Sequence, residues 1–304
     1  MKRLLPLLTA CFLPSTHAEE LKGEKSVDFI RVTEEGHATR LETAVTRFEK
    51  NGVSVELIGA IHLADASYFK ALEKRFERYV ALLYEGIGQA VPKPFRYDHP
   101  DGFDEDESEF DQGEIDDLPL EDDDQSKALD GLGRIYQKAA RWLDLRYQMS
   151  EIDYTRPNFV HADLTQAEFR ELQAERGESI IGFAFKTGFR SKVKVREPTT
   201  YGLIKALVKR DKRLLKLQLV HSLGAGDDQI AALAGENVIV TDRNQKCLAV
   251  LNEQIAAGKE ELGIFYGAAH FPDMQERLLE DGWVKSGEEW MTAWDLEERR
   301  ARRP

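Results

Sequence analysis

Two stretches constrain this chain more than any others: Leu57-Ile58-Gly59-Ala60-Ile61-His62 and Ile264-Phe265-Tyr266-Gly267-Ala268-Ala269-His270. Each is a short apolar run, then Gly-x-x-His, then an amphipathic helical pattern. After His62, residues Phe69, Leu72 and Phe76 recur at helical spacing; after His270, Pro272 suits a first helical turn. Strand, Gly-x-x-His, helix, twice, about 200 residues apart, points to an α/β chain in which two histidines leave strand ends. Glycine before each histidine has a physical use. Without a Cβ it lets the chain turn sharply, or lets another group approach the backbone.

The 304 residues suffice for one large or two small domains, and a hydrophobic fraction of 42% is ordinary for a globular protein. Residues 1–18 read as a secretory signal peptide: Lys2-Arg3 form a basic start, residues 4–13 an apolar run, and Ala18 a small residue at the cut. Leu8-Thr9-Ala10-Cys11 also fits a lipoprotein signal, though such a cut leaves a very short leader. The apolar run is too short to span a membrane, and no other run reaches spanning length. The expected mature chain, residues 19–304, is therefore exported and soluble, periplasmic or secreted, with no membrane span. Its single cysteine, Cys247, falls in a helical pattern and reads as a small buried hydrophobe.

A net charge of -13 misdescribes the surface. Residues 101–125 hold 14 Asp or Glu and no Lys or Arg, and without that run the body is close to neutral. No basic stripe offers itself to nucleic acid. Residues 91–125, with Pro92, Pro94 and Pro100 ahead of the acidic run, read as a disordered surface insertion. An EF-hand calcium loop does not fit its pattern.

Strands are expected at residues 27–33, 41–48 and 53–61, the last two joined through Asn51-Gly52, a strong hairpin signal. The helix after His62 leads to Val80-Ala81-Leu82-Leu83-Tyr84-Glu85, a buried-strand run ending on a carboxylate. Strand, helix, strand implies a parallel crossover, which brings His62 and Glu85 to one carboxyl edge, where open α/β sheets bind ligands. Residues 126–236 read as a mainly helical inserted subdomain, with a helix over 129–149 and helical patterns over 179–234. Within it His161 and Asp163 fall in a loop before a capping box, Thr165 with Glu168. A helix over 237–255 carries Arg243 and Asn244, and residues 283–284 and 289–294 read as a closing hairpin around Ser286-Gly287. The expected fold is one α/β domain with a mixed central sheet and two strand–Gly-x-x-His–helix units.

Two imidazoles and a carboxylate leaving one edge, His62, Glu85 and His270, suit a divalent transition metal such as Zn, Mn or Co. Three ligands leave a position for water, whose pKa such an ion lowers. Glu85 could equally be a general base. Arg243 reads either as an exposed helix turn or as a clamp for a carboxylate or oxyanion, with Asn244 beside it. His161, near Asp153 and Asp163, reads as a capping-loop hydrogen bonder, a fourth ligand or an acid/base. His37, His99 and His221 have no supporting context, and no nucleophile elbow, P-loop or dinucleotide fingerprint occurs.

Taken together, Gly59-Ala60-Ile61-His62, Glu85, Arg243-Asn244 and Gly267-Ala268-Ala269-His270 resemble the TraB/PrgY/GumN/TIKI family, within the superfamily of erythromycin esterases and ChaN-like haem-binding proteins. The resemblance spans residues 40–88 and 238–282. It implies an α/β fold around paired Gly-x-x-His motifs and, as in TIKI members, a divalent-metal-dependent protease. His62, Glu85 and His270 would then form the metal and catalytic centre, lined by Arg243 and Asn244. The acidic insertion departs from the family pattern. Three functions stay open at this point: a metal-dependent hydrolase acting on peptides, a metal-independent esterase-like hydrolase of small esters or amides, and a non-enzymatic haem- or peptide-binding protein.

Overall fold

The computed structural model describes residues 29–35, 38–88, 137, 140–176, 211–224 and 238–296. The expected leader, the acidic insertion and most of the 126–236 region lie outside the described residues. In chain order the elements are β1 (Ile30–Glu35), β2 (Ala38–Lys50), β3 (Val53–Ala60), β4 (Leu63–Ala64), α1 (Ala66–Phe76) and β5 (Ala81–Tyr84). Then come β6 (Arg146–Tyr147), α2 (Gln148–Glu151), β7 (Phe159–His161), α3 (Gln166–Arg176) and α4 (Lys212–Gly224). A π-helical turn (Val238–Asp242) runs into α5 (Arg243–Ala256), followed by β8 (Glu261–Gly267), a 3-10 turn (Ala268–His270), α6 (Phe271–Glu280) and β9 (Val284–Asp295).

The seven-stranded sheet runs β1-β2-β3-β8-β5-β7, with β9 also on β2. Its first part is antiparallel. Asn51 and Gly52, at φ 51° and 83°, close the β2–β3 hairpin with two left-handed residues, as a primed turn requires. From β3 onward β8, β5 and β7 are all parallel to it. A strand has two edges, so β2 gives one to β9 and divides the other between β1, along residues 38–43, and β3, along residues 45–50. The chain is thus α/β with a mixed sheet.

Parallel strands covered on both faces become continuous apolar runs. Accordingly all of β5 is buried, as are Val55, Leu57, Ile58 and Ala60 of β3 and Leu262, Ile264, Phe265 and Tyr266 of β8. Helix α1 buries Tyr68, Phe69, Leu72 and Phe76, and α6 buries Phe271, Met274 and Leu278, the stripes their spacing implies. One charged residue of α1 also goes inside: Arg75 meets Glu56 at 2.7 Å, and the Tyr79 hydroxyl donates to the same carboxylate.

Four expectations need correction. The closing hairpin is one strand, β9. Between Arg47 and Phe48 the register skips Ser286, so Ser286-Gly287 marks a bulge and not a turn. The helix over 129–149 stops, among the described residues, at Trp142; Asp144 adopts φ 53°, and Arg146–Tyr147 pair with β4 instead. The helix over 237–255 opens as a π-turn before α5. His161 is not in a loop. It closes β7, which adds a strand to the main sheet. The Thr165–Glu168 capping box is present, with reciprocal bonds of 2.7 and 3.2 Å. No helix among the described residues is long and apolar enough to cross a membrane.

Candidate functional site

Four parallel strands end side by side at one edge. Ala60 of β3 pairs with Gly267 of β8, and Tyr84 of β5 pairs with Phe265 on one side and His161 on the other. The residues just beyond each strand therefore emerge in a row: His62 after β3, the turn to His270 after β8, Glu85 after β5, and Asp163 after β7.

Glu85 is the centre of the row. Its Oε2 accepts the Gly267 N–H at 2.6 Å, its Oε1 accepts Arg243 Nη2 at 2.6 Å, and His270 Nε2 lies 3.6 Å from Oε1. Arg243 turns its other face on Asp163 in a bidentate pair, Nε to Oδ1 at 3.0 Å and Nη2 to Oδ2 at 2.6 Å. The side chain of Asp163 is 0% exposed and that of Arg243 7%. Asp163 also accepts the backbone N–H groups of Gly86 and Leu164, at 2.8 and 2.7 Å. One guanidinium thus ties the ends of β5 and β7 to the first turn of α5.

His270 is fixed from the other side. Its Nδ1 stands 2.7 Å from Asn244 Oδ1, while Asn244 Nδ2 donates to His270 O at 3.0 Å and to Asp273 Oδ2 at 2.7 Å. An amide whose nitrogen is so engaged presents its oxygen to the ring, which assigns the proton to Nδ1 and the lone pair to Nε2. Arg277 holds Asp273 at 2.8 Å. Burial lowers the His270 pKa to about 4, so the ring is neutral at neutral pH. For Glu85, burial pulls upward, but Arg243, then His270 and His62, outweigh it and hold the carboxyl well below its usual range. Arg243 is shifted upward because Asp163 and Glu85 outweigh its burial.

His62 differs in being exposed. Its Nδ1 lies 3.2 Å from Gln148 Oε1, its carbonyl accepts the Gln148 N–H at 2.8 Å, and Gln148 Nε2 donates to the Tyr154 hydroxyl at 2.8 Å. It reaches Glu85 through charge. His62 is thus the exposed member of the edge, Glu85 is half-buried, and the Arg243–Asp163 pair is buried.

Of the residues the sequence singles out, Glu85, His270, Arg243 and Asn244 form one hydrogen-bonded group with His62 as its exposed neighbour. His161 shares the edge, but its Nε2 donates to the Gly86 carbonyl at 2.6 Å, the hydrogen-bonder reading. Asp153 is exposed and closes a local turn with Thr155. Cys247 is buried, and burial pushes its thiol up, as befits a packing residue. Arg243 is no exposed helix turn; its fork is filled by protein carboxylates. The sequence reading missed Asp163 as the Arg243 partner, and Gln148 and Asp273 altogether. A carboxylate two residues past His161, at a strand end, was a usable signal for Asp163. Gln148 left none.

The two motif glycines serve close approach. Neither has positive φ. A Cβ on Gly267 would stand 3.3 Å from Glu85 Oε2, and one on Gly59 would stand 3.0 Å from the Ala44 carbonyl and 3.3 Å from the Ala268 Cβ. Since the Ala44 carbonyl is backbone inside the sheet, Gly59→Ala is expected to cost about 1–3 kcal/mol. Urea denaturation would measure it, and an unchanged midpoint would contradict that packing.

Among the described residues no group of three or more His, Cys, Asp or Glu is arranged to hold a metal ion. The donor types suit one, but the Arg243 guanidinium stands against both Glu85 Oε1 and His270 Nε2, at 2.6 and 3.4 Å. A positive charge supplied by the protein already occupies that side. No protein-family model matches the chain, and no curated protein or solved structure does either.

Proposed function

We propose that the chain is a hydrolase of the TraB/TIKI kind, acting on a peptide or a small ester or amide, with His62, Glu85 and His270 as its centre. The observation that supports this best is the make-up of the edge: an exposed imidazole beside an ionised carboxylate that a buried guanidinium and the Gly267 N–H hold in place. In this reading His62 takes a proton from water as its oxygen adds to the substrate carbonyl carbon. It then returns the proton to the departing alkoxide or amine. Glu85 stays ionised and stabilises the imidazolium that forms in between, the role a carboxylate plays beside a catalytic histidine. Arg243 is the positioning residue for Glu85, and Asn244 fixes the ring of His270, whose Nε2 lone pair faces Arg243. His270, with a pKa of about 4, is a poor base at neutral pH, and His62 is the imidazole a substrate can reach. Should residues 1–18 serve as an export leader, the reaction takes place outside the cytoplasm.

A second reading keeps the divalent metal. It is favoured by the neutral state of His270, whose Nδ1–H goes to Asn244 and whose Nε2 is left in the form metal ligation requires. His62, Glu85 and His270 would hold the ion, which would supply Lewis acidity and a more acidic water. Glu85 would then have to be shared with Arg243.

One experiment separates the two. Wild type and His62→Ala are assayed on panels of peptides, aryl esters and anilides, with chelator and then with added Zn, Mn or Co. The first reading expects chelator-insensitive hydrolysis that falls about 10²–10⁴-fold in His62→Ala. Activity abolished by chelator and restored by one ion would favour the second. Hydrolysis that His62→Ala leaves untouched would sink both.

A further inference from the structure

We infer that Gln148 is the positioning residue of His62, and that it selects which ring nitrogen of His62 carries the proton. This rests on the hydrolase reading for its purpose, though not for its geometry. Gln148 grips His62 at two points. Its backbone N–H donates to the His62 carbonyl at 2.8 Å, and its side-chain Oε1 stands 3.2 Å from Nδ1 of the ring. With its oxygen toward the ring the amide can only accept, so this placement of Gln148 puts the hydrogen on Nδ1 and the lone pair on Nε2. Gln148 is itself held. It is buried, and its Nε2 donates to the hydroxyl of the buried Tyr154 at 2.8 Å.

The fold supplies the means. Two residues past the carboxyl end of β3, the chain bends into β4, whose Leu63 and Ala64 pair with Tyr147 and Arg146. That two-residue ribbon delivers the next residue, Gln148, to the ring of His62 across 86 positions of sequence. On an exposed imidazole, that contact favours one tautomer over the other. A base that must take a proton from water needs a ring nitrogen with its lone pair in place, and a neutral amide on Nδ1 leaves Nε2 in that form without adding a second carboxylate beside Glu85. His270 is treated in the same way by Asn244, so the two motif histidines share a device: the amide oxygen of a side chain on Nδ1.

The test is the tautomer of His62, read by long-range ¹H–¹⁵N correlation on the full chain with labelled histidine, at a pH where the ring is neutral. The His62 signals are identified by their loss in His62→Gln. Wild type is expected to show the Nδ1–H form. Gln148→Ala removes the acceptor and is expected to shift the ring toward Nε2–H. Gln148→Glu, of nearly the same shape and still offering an acceptor oxygen, is expected to restore Nδ1–H. An Nε2–H ring in wild type, or a tautomer unchanged in Gln148→Ala, would overturn the inference. Since the wild-type spectrum is decisive by itself, a variant that fails to fold does not remove the test. The hydrolase reading fails separately: an Nδ1–H ring with activity indifferent to His62→Ala leaves the clamp standing and removes its catalytic purpose.

Discussion

Replacing Arg243 with alanine is expected to destabilise the protein by about 3–5 kcal/mol, the usual range when one partner of a buried ion pair is removed. The reason is what remains behind. Asp163 is 0% exposed and would lose both guanidinium contacts, keeping only the Gly86 and Leu164 N–H groups. Glu85 would keep only the Gly267 N–H of its close donors. Buried Asp163 and half-buried Glu85 would then both lack the cation that holds them. Arg243→Lys keeps the charge but not the planar fork, so it is expected to recover part of the loss. Arg243→Met with Glu85→Gln and Asp163→Asn removes the uncompensated charge and is expected to recover more. Urea denaturation of the set measures this, and a loss below about 1 kcal/mol in Arg243→Ala would mean the cluster is not buried as described.

Acid is expected to weaken the fold between about pH 6.5 and pH 4, through His270. Its folded pKa of about 4 lies below the ordinary 6.5, so above 6.5 the ring is neutral in both states and its contribution is complete. As the pH falls below 6.5 the unfolded chain takes up a proton that the folded chain refuses. Stability drops by about 1.4 kcal/mol per pH unit, roughly 3 kcal/mol in all by pH 4. Glu85 has the same sign at lower pH: its depressed pKa contributes above the usual carboxylate value and is lost below it. Comparing urea midpoints from pH 7.5 to 4.5 for wild type and His270→Gln isolates the histidine, because every other titrating group is common to both. Parallel pH profiles would show that His270 is not held neutral by its surroundings.

Much of the edge is legible in the chain because its elements are locally encoded. A buried parallel strand has no solvent face, so β3, β5 and β8 appear as unbroken apolar runs, and the residue ending each run is on the carboxyl edge. That is why His62, Glu85 and His270 stand out without an alignment. The Asn51-Gly52 hairpin and the Thr165–Glu168 box are legible for a similar reason: both are satisfied within four residues. Where reading failed, a distant partner decided. Ser286-Gly287 has turn composition, but pairing with β2 along ten residues holds that stretch in a strand and turns the local signal into a bulge. The helical spacing up to Met149 gives way because Arg146 and Tyr147 find strand partners in Leu63 and Ala64.

The chain by itself determined which residues reach the carboxyl edge, because periodicity and strand ends depend on neighbours in sequence. It did not determine what they do there. Whether Arg243 is a solvated helix turn, a substrate clamp or the buried tie between Glu85 and Asp163 depends on charges 158 and 80 positions away. Whether His62 and His270 are equivalent also depends on packing: burial lowers the pKa of one to about 4, while the other stays exposed over a glutamine that no local pattern foretells. Desolvation and charge pairing act through space, so only the tertiary structure could divide the two histidines into a buried one and an exposed one.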